Sequence, residues 1–164
     1  MSFAISINDQ RSEIEFSTGD KVFDWTIPKE WIIREAFIEH ESGKRFALFS
    51  ENNLHLMGYS APVDKILTKE KLLEKIHTHP TDNSAIPYVT SYYKEDWAFC
   101  MSSNQVQELP SGNFKVFIDS KFTDGKLCLQ EALIKGESDK EIFFSSYLCH
   151  PSMANNELSG PVLL

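Results

Sequence analysis

The sequence predicts a strand-dominated α+β chain. Short apolar–polar alternations separated by turn clusters, a single convincing amphipathic helix, and 12 Phe, 5 Tyr and 3 Trp among 164 residues carry that reading. Each buried aromatic removes a large area from water, so a core can form although only 41% of the residues are hydrophobic. Residues Glu13 to Phe16 alternate weakly, and Ser17-Thr18-Gly19-Asp20 makes a turn. Val22 to Ile27 then reads as a strand that Pro28 ends. Trp31 to Glu39 fits strand or helix, and Glu41-Ser42-Gly43-Lys44 turns the chain into Arg45 to Phe49.

Short aromatic segments fill Asn52 to Asp64. Thr68 to Ile76 is the clearest helix, with Thr68 as its N-cap and Leu72, Leu73 and Ile76 on one face. His77-Thr78-His79-Pro80 stops it, and Ile86 to Tyr93 is extended. Phe114 to Ile118, Leu127 to Ile134 and Ile142 to Leu148 read as three more strands.

The formal charge is −8, with no block of Lys or Arg, which argues against nucleic acid or an anionic membrane as partner. No apolar run approaches the ~18 residues of a membrane span, and no signal peptide is legible at the N-terminus. Three Cys, at 100, 128 and 149, are too few and too far apart for a disulfide framework. A reducing cytoplasm is the expected location.

Four constellations invite chemistry. His150 follows an apolar stretch and precedes Asn155-Asn156-Glu157, where a loop can bring Asn156 or Glu157 back toward it. It reads as a metal ligand at a strand end or as a loop histidine satisfied by the backbone. Cys149 adjoins it, but successive strand residues face opposite ways, so a thiol–imidazole pair is excluded. His77 and His79 can chelate only in an extended segment with a third ligand, and a solvated loop is the alternative. Tyr88, Tyr92, Tyr93 and Trp97 line a ligand cleft or build a small core. The acidic stretch Glu137 to Glu141 reads as a solvated turn.

The run CHPSMANNELSGP resembles a family of bacterial aminopeptidase-like proteins, themselves similar to two-zinc exopeptidases such as the bacterial leucyl aminopeptidases. KVFDWTIPKEW, NNLHLMGYSAPVD and IPYVTSYYKEDWAFC resemble an uncharacterised domain that this family carries inserted in its peptidase fold. The resemblance implies, for the intact family, an α/β sheet with flanking helices. It places a partial aminopeptidase-like domain at 1–27 and 111–164, and a β-rich insert at Pro28 to Pro110. It implies zinc as cofactor, with His150, Asn156 and Glu157 as metal-facing residues and a peptide or amide-linked small molecule as substrate.

His150 matches the family's strand-end His. Asn156 stands where a bridging Asp is usual, and it offers one neutral oxygen where a carboxylate offers two and a charge. Glu157 supplies the charge if the loop shifts by one residue. Ser159 and Gly160 match the Ser-Gly that opens the next helix. The family's general-base Glu, a further acidic ligand and a distal His are implied beyond Leu164, so the chain resembles a fragment. A fragment with uncovered apolar surface is expected to self-associate. The competing expectation is a non-catalytic module whose aromatic insert binds a ligand.

Overall fold

The computed structural model describes residues 11–149 and 154–163. In chain order the elements are β1 (Arg11–Ser17), β2 (Lys21–Val22), β3 (Trp25–Thr26), β4 (Glu30–His40), β5 (Arg45–Phe46), a 3₁₀ turn (Asn53–His55), β6 (Val63–Thr68), α1 (Lys69–Leu73), β7 (Ile76–His77), β8 (Phe99–Cys100), α2 (Ser103–Gln107), β9 (Asn113–Thr123), β10 (Lys126–Ala132) and α3 (Ala154–Leu163). The chain is a strand-dominated α+β structure, as its sequence predicts. It divides into two compact units, one of Trp31–Thr123 and one drawn from the chain on either side.

In the central unit a four-stranded sheet has the order β5-β4-β9-β6. Phe114, Val116, Ile118 and Ser120 alternate inward along β9 and are buried. β6 runs antiparallel to it, with Leu67 opposite Phe114 and Val63 opposite Ile118. On β4, Trp31 and Ile33 pack toward the core, then Ala36 and Ile38 do. The inward phase shifts by one across the exposed Arg34 and Glu35, as at a β-bulge. That shift is why the alternation over Trp31 to Glu39 resembles neither a clean strand nor a clean helix. A parallel two-stranded ladder of β7 and β8 completes the core with Phe99 and Cys100.

Two local readings need correction here. The expected Thr68–Ile76 helix shrinks to α1, because Ile76 and His77 are drawn into pairing with β8. Thr68 is its N-cap by position, but makes no capping bond with its side chain. The strand expected over Phe114 to Ile118 is longer, and β9 extends to Thr123 as an inner strand between β4 and β6. As a compact unit of the fold, the central unit runs from Trp31 to Thr123.

The turn into β9 depends on one glycine. Gly112 has φ +131°, and a Cβ there would lie 2.6 Å from Glu41 Oε1 and 2.8 Å from His40 Nε2. Glu41 cannot withdraw freely, since its Oε2 accepts from the Asn113 backbone N–H and side-chain amide. Both His40 ring nitrogens are held, by Ser42 Oγ at 2.8 Å and the Ser111 carbonyl at 3.1 Å. Gly112→Ala is therefore expected to destabilise this unit by about 1–3 kcal/mol, read as a lower urea midpoint at unchanged slope.

The other unit contains an antiparallel ribbon of β1 and β10, with Ile14 opposite Leu129 and Phe16 opposite Leu127. Val22 to Ile27 is not one strand. Phe23 takes φ +56°, so the chain reverses and β2 pairs with β3. Ile142 to Leu148 forms no strand either; no neighbouring strand pairs with it among the described residues, and its large apolar side chains are exposed.

The chain then enters α3, which begins at Ala154 and runs through Ser159 and Gly160. A helix start at Ser159 is thus incorrect, since α3 begins five residues earlier. Gly160 permits close passage of the preceding segment, since a Cβ there would lie 2.1 Å from Ser146 Oγ. Pro161 lies inside α3 and carries no N–H to donate along the helix.

Candidate functional site

The C-terminal stretch is the site to which the sequence points. His150 lies outside the described residues. Asn156 and Glu157 fall in the first turn of α3, where a carboxylate is favoured by the helix dipole. Asn156 is exposed, and its Oδ1 accepts from the Tyr147 hydroxyl at 2.8 Å. Glu157 is buried, only 5% exposed. One of its oxygens accepts from the Cys149 backbone N–H, and the other lies 3.1 Å from the Cys149 thiol. A buried carboxylate is stable only when such donors replace its water. Glu157 and Cys149 are thus neighbours, while Asn156 faces Tyr147.

Zinc needs about three protein ligands. Among the described residues no three His, Cys, Asp or Glu side chains gather around Glu157. The described donors at this end therefore do not make a zinc site by themselves. Glu13, Glu15 and Cys128 do lie within 4.8 Å of one another, all exposed. Lys126 pairs with Glu15 there, and that hydrogen bond raises the lysine's pKa. The ammonium already neutralises the carboxylate that a cation would need.

The HxH pair is separated by its partners. His77 lies in β7, exposed, and its carbonyl accepts from Met101 N–H at 3.0 Å. His79 Nδ1 accepts from the Asp82 N–H at 3.0 Å. Asp82 is turned to Ser84, whose side-chain and backbone hydrogen bonds lower its pKa. This is the solvated turn, and among the described residues no third ligand gathers with the two imidazoles.

The cysteines differ by environment. Burial pushes the Cys100 thiol up to about 12, whereas Cys128 and Cys149 are exposed. A thiolate is the reactive form. Iodoacetamide applied to native protein is therefore expected to label Cys128 and Cys149, with Cys100 labelled only after denaturation, as read by peptide mass mapping.

The aromatic residues divide. Trp97 packs against the core and lies under the Lys75 ammonium, 5.3 Å from its ring centre. Lys75 also holds Asp96 at 2.7 Å, and that bond is the largest cause lowering the Asp96 pKa. A lowered carboxylate pKa contributes stability above the unfolded value near 3.9, lost as pH falls through the folded one. Both side chains are about one-third exposed, so Asp96→Asn is expected to flatten the acid limb of the unfolding free energy against pH, measured by urea titration, by under about 1 kcal/mol.

Tyr92 and Tyr93 belong to a different group. Tyr92 lies 5.0 Å from Tyr59, which stacks on Trp31 at 6.1 Å and 16° and lies 6.3 Å from Phe122. The sequence places Tyr59 in the motif NNLHLMGYSAPVD but singles out neither it nor Phe122 as part of a ligand cleft. Proximity in space links them to Tyr92, and no spacing in the chain reveals it.

With this geometry in hand, the chain can be compared with known proteins. The family described as Domain of unknown function (DUF2172) matches residues 30–121. The chain belongs to that family. The matched segment follows the central unit, Trp31–Thr123, to within two residues at each end. A Clostridium acetobutylicum protein named for polysaccharide biosynthesis and an aminopeptidase-like domain is 47% identical over 150 residues, 92% of this chain and 35% of that protein. A crystal structure from the same organism, at 2.37 Å resolution and titled as a peptidase, matches with a TM-score of 0.84 and 46% identity over 93% of this chain and 36% of that one. The chain spans about a third of the length of these relatives. Among the described residues no helix is long and apolar enough to cross a membrane.

Proposed function

We propose that this DUF2172 chain is part of an aminopeptidase-like hydrolase that cleaves a peptide or amide-linked bond with zinc as cofactor. The observation that carries the reading is the 47% identity, over 92% of the chain, to a protein named for an aminopeptidase-like domain. The name of that relative also points to polysaccharide biosynthesis, so the substrate class we favour is an amide borne on a glycan or its precursor.

In this reading His150, Asn156 and Glu157 are the residues this chain contributes to the metal site. Bound zinc would lower the pKa of a water and polarise the scissile carbonyl. The chain's own contribution is positional. Burial and the Cys149 N–H fix the Glu157 carboxylate, and the Tyr147 hydroxyl orients the Asn156 amide. Further ligands and a base come from outside these 164 residues, so the chain alone is expected to hold zinc weakly and to hydrolyse nothing.

The test uses both lengths. The longer protein should contain stoichiometric zinc and cleave leucine p-nitroanilide, and His150→Ala should abolish both. The 164-residue chain should surrender zinc readily to a chromogenic chelator. Tight one-to-one zinc kept by the His150→Ala chain would overturn the assignment and point to His77 and His79.

A further inference from the structure

We infer that the aromatic surface centred on Tyr59 is a saccharide-binding site, for a neutral or N-acetylated hexose oligomer. The inference deepens the proposed function and rests on its reading of the substrate as glycan-linked. Trp31, Tyr59 and Phe122 come from separate parts of the central unit, and Tyr92 and Tyr93 extend the group, with their rings 5.0 Å apart. Here Trp31, Tyr59, Tyr92 and Phe122 stay half-buried and Tyr93 is 91% exposed.

The backbone at the centre is strained and held. Tyr59 has φ +63°, a conformation that costs an L-residue about 1–2 kcal/mol. Hydrogen bonds on both sides of it maintain that geometry. The Ser60 carbonyl accepts from Trp31 Nε1 at 2.9 Å and from Ser120 Oγ at 2.8 Å. Ser60 Oγ donates to the Met57 carbonyl at 2.7 Å, and Ser91 Oγ donates to the Tyr59 carbonyl at 3.1 Å. Ser60 itself is fully buried. Strain so over-determined is a mark of functional positions. Its effect here is to present the Tyr59 ring between Trp31 and Tyr92.

The ligand class follows from the surface chemistry. Aromatic faces carry negative charge density and attract the weakly positive C–H groups that cover one face of a hexose ring. The Tyr93 ring, 91% exposed and 5.0 Å from Tyr92, offers such a face to solvent at the edge of the group. A formal charge of −8 disfavours uronic-acid or phosphate-bearing glycans.

The test is a titration of the 164-residue chain with N-acetylglucosamine hexamer and with maltohexaose, followed by ¹H–¹⁵N spectra. At least one hexasaccharide should shift the Trp31 indole N–H saturably at millimolar concentration or below. Tyr93→Ala should weaken that binding about tenfold, as loss of about 1.4 kcal/mol implies, with the remaining amide spectrum unchanged because the side chain is exposed. No saturable shift with either sugar, an unaltered affinity in Tyr93→Ala, or equal shifts with tetra-alanine would each overturn the site. Failure here while the longer protein still cleaves leucine p-nitroanilide removes the saccharide site alone; sugar binding with no hydrolysis by that protein removes the peptidase reading alone.

Discussion

Phe114→Ala is expected to destabilise the central unit by about 3–5 kcal/mol, the range found for removing a fully buried aromatic. Its side chain is 0% exposed at the start of β9 and borders the rings of His40 at 5.0 Å and Phe46 at 6.4 Å. The loss combines transfer of the ring to water with a cavity, since β4 and β6 on either side of β9 restrain the walls from closing. Domains of this size hold about 5–15 kcal/mol in total, so the variant should be largely unfolded at 37 °C or near its midpoint. Ile66 provides the contrast. It is opposite Lys115 on the same pair of strands but 73% exposed, and Ile66→Ala should change stability by under about 0.5 kcal/mol. Urea unfolding of the three proteins checks both statements. A similar loss from both variants would mean that this sheet is not where the core lies.

Sequence alone reveals those strands whose partners impose a regular alternation. Phe114, Val116 and Ile118 give a period of two because β9 buries one face between β4 and β6. β6 escapes notice because its exposed run, Asp64 to Ile66, breaks that period, and only Val63 is buried. Val22 to Ile27 misleads for the opposite reason: its alternation is real, but Phe23 adopts a left-handed backbone that side-chain pattern does not disclose. Apolar content without a partner misleads at Ile142 to Leu148, where hydrophobicity is legible but pairing is not.

The candidate site divides the same way. Asn156 and Glu157 are legible as residue types, and their segregation toward Tyr147 and Cys149 comes from the first turn of α3, a three-dimensional fact. Tyr92 and Tyr93 attract notice as sequence neighbours, while Tyr59 and Phe122 join them only through the fold.

Hydrogen exchange should separate the central sheet from the segment after β10 by a factor of at least about 10³, the protection that some 4–5 kcal/mol of opening free energy confers. Amides of β9 are bonded into the sheet beneath a buried layer of Phe114, Val116 and Ile118. Residues 133–149 belong to no strand or helix, and Ile142, Phe143 and Phe144 are 85%, 86% and 70% exposed. The amides of 133–148 lack both ladder partners and apolar cover and should exchange at nearly the free rate, whereas the Cys149 N–H is held by Glu157. The same exposed apolar side chains, adjacent in the chain, favour association. The elution volume should accordingly fall as concentration rises, and a Phe143→Lys, Phe144→Lys variant should restore a concentration-independent monomer. Protection of 133–149 equal to that of β9, in a protein that stays monomeric at all concentrations, would show that this segment is covered by the chain itself, and its apolar residues would then belong to a core.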